Sequence, residues 1–267
     1  MADFLIFLGV NVKKINYAII KPSGNVTAVV YTACKRDDYC LINAEILKRE
    51  KDCEQVVFIK KFNKRFALVE MAGGEFCGNA VRAVMFYFFL NKNLSNMEIK
   101  YVGYPFKMYA YSNGLIASVQ ICIDDLVKEI TPIDVGLTKV VMVGITHYIV
   151  EPNSKLFRYV NDRNKTQKLI EKFITNEKCI GIVYVKNNEM RPYVFIKKVN
   201  TLFLETACGS GMIACALKYR HLNKNIKIKQ PSQYYLQVDF DKNNANLIGK
   251  CEFMKKDYIL YGGNDEI

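Results

Sequence analysis

Two cysteines in this 267-residue chain open almost the same phrase. The first phrase is Gly-Gly-Glu-Phe-Cys-Gly-Asn-Ala at 73–80, and the second is Leu-Glu-Thr-Ala-Cys-Gly-Ser-Gly at 204–211. Cys77 and Cys208 lie 131 residues apart, close to half the chain. After each come glycine, a small polar residue, Ala or Gly, and then an apolar run of helical length. The first amides of a helix lack intrahelical partners and carry partial positive charge, so such a start holds an anion such as a carboxylate. Small residues let a ligand approach the backbone closely, and the same field favours a thiolate at the helix start. Two such ends facing one another would hold one carboxylate and set a sulfur on each face of the carbon beside it. One thiolate would remove a proton from that carbon while the opposite thiol delivers one, which inverts the centre. Amide donors at the carboxylate would stabilise the charge as it develops. Read singly, each phrase is a tight turn before a core helix. The repetition at matching places is what points to chemistry.

The elements that must carry these sulfurs alternate between strand and helix. Residues 80–90 and 212–219 read as helices that are apolar nearly all round, which requires burial. Strands are expected at 15–20 and 26–31 around the turn at 22–25, at 55–60 and 66–71, and from 97 to 123. A helix is expected at 38–48. A break rich in acidic residues, with Pro132, is expected around 124–134. The second half repeats the plan, with strands at 140–150, 180–185, 193–198, 202–204, 226–229, 234–240 and 258–261 and a helix at 166–173. The expected architecture is therefore α/β with two similar lobes, residues 1–127 carrying Cys77 and 128–267 carrying Cys208. Each would be a curved sheet around a central helix.

Composition bounds the alternatives. The chain is 51% hydrophobic, ample for a core. Its most apolar stretches, 4–10 and 81–90, fall short of the roughly 20 residues of a helical membrane span. The start, Met-Ala-Asp, lacks the basic region of a secretory signal, so a cytoplasmic protein without a membrane role is expected. The nine cysteines include no Cys-x-x-Cys pair, and the two histidines, His147 and His221, are far apart. No metal site is expected from them. The formal charge of +12 is dispersed. Its densest cluster, Lys60, Lys61, Lys64 and Arg65, falls between two strands and reads as a solvated hairpin tip rather than a nucleic-acid surface. A basic nucleic-acid-binding module remains the alternative from another class, as does a non-catalytic amino-acid binder using the same helix ends. The oligomeric state is not legible, and a homodimer stays open.

Three other motif readings are weaker. Gly209, Gly211 and Ala214 fit a dinucleotide fingerprint, but no acidic residue follows about 20 positions on to meet a ribose. Cys208-Gly-Ser210-Gly misses the nucleophile elbow by its first glycine. A cysteine hydrolase would need a histidine base, and nothing local ties His147 or His221 to either cysteine. Both read as ordinary structural or surface residues.

At the two cysteine phrases the chain resembles the diaminopimelate epimerase family of epimerases, and the likeness runs through most of its length. That resemblance implies no cofactor, two pseudo-symmetric lobes, and Cys77 and Cys208 as acid and base. It implies a carboxylate cradle of Gly78, Asn79, Gly209 and Ser210, with Asn25 and Gln55 at substrate-contact positions. The departures are informative. The family's Gly-Asn-Asp-Phe is Gly24-Asn25-Val26-Thr27 here. The Glu-Arg pair that holds the far end of diaminopimelate is replaced by Val199 and Asn200. No asparagine matches ahead of Ala72-Gly73-Gly74. Pro-Ser-Gly-Asn at 22–25, Cys-Glu-Gln-Val at 53–56, Glu-Phe-Cys-Gly-Asn-Ala at 75–80 and Glu205 are more similar to the family's histidine racemases, such as those of staphylopine-type metallophore pathways. The expected substrate is thus an amino acid, histidine first, with diaminopimelate or another amino acid as the alternative. Glu205 and Glu54 are candidates to meet an imidazole, and Glu205 alternatively supports its helix start.

Overall fold

The computed structural model describes residues 12–173 and 177–262. The apolar stretch at 4–10 and the Met-Ala-Asp start lie outside the described residues. Many strands and few helices form one mixed α/β fold. The first half runs β1 (Val12–Pro22), β2 (Thr27–Val30), α1 (Tyr39–Arg49), β3 (Gln55–Phe62), β4 (Phe66–Met71), α2 (Gly78–Lys92), β5 (Asn96–Tyr101), β6 (Lys107–Ser112) and β7 (Ile116–Cys122). One helical turn, α3 (Ile123–Leu126), leads into β8 (Val127–Asp134). Then follow β9 (Leu137–Met142), β10 (Ile145–Val150), α4 (Arg163–Phe173), β11 (Cys179–Lys186), β12 (Glu189–Ile196), β13 (Thr201–Leu204) and α5 (Gly209–Tyr219). The chain closes with β14 (Asn225–Lys229), β15 (Tyr235–Asp241) and the long β16 (Asn244–Gly262).

The two halves repeat one order of pairings. An antiparallel pair, β1/β2 or β9/β10, leads across a helix to a parallel neighbour, β3 or β11. A hairpin to β4 or β12 follows, then a buried helix, then another parallel neighbour, β5 or β14. An antiparallel meander ends each half. β16 joins them. Its first residues pair with β7 and β15, and residues 251–262 pair with β1, so strands β1–β7 and β16 close a circuit. In the second half β8 is left as an edge.

Helix α2 buries every residue from Gly78 to Phe88 and α5 every residue from Gly209 to Leu217. Both sit in a single apolar core that runs through both halves. That position follows from the sequence, because a helix apolar on all faces has no side to give to water. Smaller clusters lie under α1 and α4.

Three sequence expectations change. The expected break at 124–134 is mostly the strand β8, whose residues are largely exposed. An edge strand facing solvent tolerates both the charges and Pro132, so its polarity reads as a loop. The expected single strand at 140–150 is the pair β9 and β10, turning at Gly144 with φ +85°. The expected strand at 258–261 is the end of β16, 19 residues long, whose lysines mask its length.

Candidate active site

Cys77 is the residue before α2 and Cys208 the residue before α5, both in extended backbone. Each sulfur accepts a hydrogen bond from the amide three residues on, Ala80 at 3.4 Å and Gly211 at 3.3 Å. A cysteine in that position serves as the helix cap, which Ser, Thr, Asp or Asn supplies elsewhere. The two helix starts abut. A Cβ on Gly78 would lie 3.7 Å from the Gly209 carbonyl carbon and 2.8 Å from Leu247 Cδ2. A Cβ on Gly209 would lie 3.0 Å from the Asn79 amide nitrogen. These glycines therefore let the two helices meet end to end, a closer requirement than room for a ligand.

The residues after the glycines differ from the expected cradle. Asn79 donates from Nδ2 to the Ala207 carbonyl at 2.8 Å and accepts at Oδ1 from Arg82 at 3.1 Å. Its side chain bridges the two motifs, one residue short of Cys208. Ser210 Oγ lies 2.9 Å from His147 Nε2 and 3.6 Å from Cys208 Sγ. What remains for an anion at this junction are backbone amides. With the Ala80 and Gly211 amides on sulfur and the Asn79 amide also turned to Cys77, those of Gly78, Gly209 and Ser210 are the unused first-turn donors among the described bonds.

Cys77 is held by an amide relay that ends on the Glu54 carboxyl. Its thiol donates to Gln55 Oε1 at 3.0 Å. Gln55 Nε2 in turn donates to Asn25 Oδ1 at 2.7 Å and to Thr27 Oγ1 at 2.8 Å. Asn25, fully buried in the turn after β1, donates to Glu54 at 2.8 Å. Glu54 also receives the Thr206 amide at 3.0 Å, a bond from one half to the other.

Cys208 has ionisable neighbours. Its thiol bonds to Glu205, whose carboxyl burial and the nearby Glu54 charge push up to about 8. On its other side Ser210 leads to His147, which is fully buried and held neutral, pushed down to about 3 by burial. His147 Nδ1 has no partner, and Gly181, its neighbour across the β10/β11 pair, leaves the room its ring fills. Orphaned buried N–H groups are rarer than orphaned acceptors, which puts the imidazole proton on Nε2, facing Ser210. The Ser210 hydroxyl is then left to donate toward Cys208.

Both thiols are pushed up, by burial first and then by carboxylates, Glu205 beside both and Glu75 beside Cys77. The sequence expectation was the reverse, a thiolate favoured by the helix start. Cys77 is 8% and Cys208 1% exposed, and loss of solvation outweighs the amide and hydroxyl bonds to each sulfur.

Sequence reasoning missed His147 and Arg82. His147 gave no signal, since a lone histidine in an apolar strand is unremarkable. Arg82 did give one, being a cation in a helix otherwise apolar all round. It is fully buried and donates to Ala117 O at 2.9 Å, Ser23 Oγ at 2.9 Å and Lys250 O at 3.1 Å as well as to Asn79. It thereby ties the start of α2 to the 22–25 turn, β7 and β16. Among the described residues no cluster of three or more His, Cys, Asp or Glu could hold a metal, and no helix is long and apolar enough to cross a membrane.

Comparison with known proteins bears on the family and the fold. A histidine racemase of Fusobacterium nucleatum subsp. nucleatum is 26% identical, over 94% of this chain and 98% of the relative. Among solved structures, a predicted epimerase of Pseudomonas aeruginosa has the same fold, with TM-score 0.65, 10% identity, and 92% of this chain and 99% of that one covered. A probable proline racemase of Agrobacterium radiobacter K84, solved with bound carbonate, follows with TM-score 0.62, 11% identity and 94% of each chain covered. The model of the histidine racemase CntK N-terminal domain matches residues 14–249, and the chain belongs to that family of amino-acid racemases and epimerases.

Proposed function

We propose that this chain interconverts L- and D-histidine by a two-base mechanism, with Cys208 and Cys77 on opposite faces of the α-carbon. The observation that carries the reading is the pair of abutting helix starts, each opened by a cysteine. The backbone amides of Gly78, Gly209 and Ser210 receive the α-carboxylate. The α-ammonium meets Glu205 and Glu54, which offsets the negative field that keeps the thiols protonated. Cys208 then loses its proton toward Glu205 and takes the α-proton, while the Cys77 thiol, held on the neutral Gln55, delivers the other. For the opposite enantiomer the roles reverse. Asn25 and Gln55 act by orienting Cys77. The step needs no electron transfer, so cysteines, backbone amides and the two carboxyls supply all of it. Acid–base steps of this kind contribute about 10²–10⁴-fold each, and the amide cradle stabilises the carbanionic charge further. The two lobes, 1–127 and 128–267, part to admit the amino acid and close to exclude water.

The loss of the Glu-Arg pair, replaced by Val199 and Asn200, speaks against diaminopimelate. The full-length likeness to histidine racemases speaks for histidine. Incubation with L-histidine in heavy water, without added cofactor, is expected to give deuterated D-histidine. A panel including diaminopimelate, glutamate and lysine should show slower exchange. Absence of both deuterium and the D-enantiomer from every amino acid tried would end the racemase reading.

A further inference from the structure

Close to Cys77 a narrow crevice opens between the two halves. One wall is α1, the start of β3 and the 72–75 turn, with Asn43, Gln55 and Glu75, and the other is β13, with Thr201 and Phe203. Two buried polar atoms in this crevice have no hydrogen-bond partner, Glu75 Oε2 and Thr201 Oγ1. Glu75 is 6% exposed. A carboxylate oxygen left unpaired at that depth is costly, and native chains keep few such atoms without a reason. Burial pushes the Glu75 carboxyl up to about 7, and its own backbone amide, the exposed Lys198 and the Gly73 amide offset this only in part. Gly73 leaves the carboxylate its place, since a Cβ there would lie 2.4 Å from Oε2. Gln55 lines the same crevice and bonds Cys77, so the crevice begins one side chain from the reacting sulfur. Glu54 adds a second carboxylate to its lining.

We infer that this crevice is the subsite for the substrate's side chain, with Glu75 accepting from an N–H of an imidazole and Thr201 bonding its other nitrogen. The assignment rests on the racemase reading above. An acceptor and a hydroxyl in one small space fit a ring with nitrogen at two positions. The same acidic lining disfavours a side chain ending in carboxylate, because like charges at close range in a dry site repel strongly. The crevice is a narrow slit whose walls come from different halves, so parting of the halves opens it. Glu75 here is a specificity residue and touches no reacting atom.

Glu75→Gln and Thr201→Val keep shape while removing the charge or the hydroxyl. Steady-state racemisation of L-histidine should show KM raised about tenfold or more in Glu75→Gln, and several-fold in Thr201→Val, with kcat changed less. Thermal melting of the histidine-free protein separates this from a structural role. A structural Glu75 would lower Tm on substitution, whereas removal of an orphaned buried carboxylate leaves Tm equal or raises it by about 2–4 °C. Calorimetric titration with L-histidine gives the same contrast without turnover. If the protein binds L-histidine, more weakly in Glu75→Gln, yet inverts nothing, the subsite stands and the racemase reading falls. If the wild type racemises histidine and Glu75→Gln leaves both KM and affinity unchanged, the racemase reading stands and this subsite is wrong.

Discussion

The two cysteines occupy equivalent places in a repeated fold, yet their surroundings are not equivalent. Cys77 donates to Gln55 in a chain of amides that carries no charge at the sulfur. Cys208 touches Glu205 on one side and, through Ser210, His147 on the other. Repetition of the backbone thus sets where the sulfurs stand, and divergence of their neighbours sets how each handles a proton. A symmetric pair would have no resting direction. Here a carboxyl pushed up to about 8 stands at bonding distance beside Cys208 alone, and in the mechanism proposed above Cys208 is the resident base and Cys77 the resident acid.

Substitutions probe this contrast at decreasing scale. Alanine at either cysteine should lower racemisation by about 10²–10⁴-fold, the contribution of one positioned acid or base. Circular dichroism and melting should show both variants folded. Arg82→Leu should cost about 3 kcal/mol or more of stability, because acceptors on Asn79, Ser23, Ala117 and Lys250 lose their charged donor while buried. Urea unfolding measures it, and a cost within 1 kcal/mol would mean Arg82 does not brace the first helix start.

The glycines give a finer comparison. Gly78→Ala meets the end of the Leu247 side chain, which can turn, whereas Gly209→Ala meets the Asn79 backbone. Gly209→Ala should therefore destabilise by about 1–3 kcal/mol and Gly78→Ala by less. Equal costs would mean the helix starts can slide apart freely.

His147 gives the smallest effect near neutral pH. The folded chain holds it neutral down to about 3, while the unfolded chain takes up a proton below its ordinary value of 6.5. Its contribution to stability is complete above pH 6.5 and is lost as pH falls toward 3, at about 1.4 kcal/mol per unit. His147→Gln should remove that slope from denaturation measured at pH 6.5, 5.5 and 4.5.

Legibility from sequence followed the range of each interaction. The Cys-Gly phrases and the buried helices depend on neighbours in the chain, so Cys77, Cys208, α2 and α5 were readable directly. Thr201 and Glu75 come to line one crevice, and Ser210 to meet His147, only when distant segments assemble, and no local spacing encodes that. The edge strand β8 was misread because exposure removed the apolar alternation that marks a strand. The direction of the thiol shifts was misread because burial depth is a tertiary property. A helix start favours a thiolate only where enough solvent remains.

The most direct test follows α-proton exchange of L- and D-histidine separately, in heavy water, in Cys77→Ala and Cys208→Ala. A lone cysteine reaches one face of the α-carbon. Each variant should therefore wash deuterium into one enantiomer only, the two variants should choose opposite enantiomers, and neither should invert its substrate. Exchange of both enantiomers by one single-cysteine variant, or racemisation near the wild-type rate in either, would contradict a sulfur on each face.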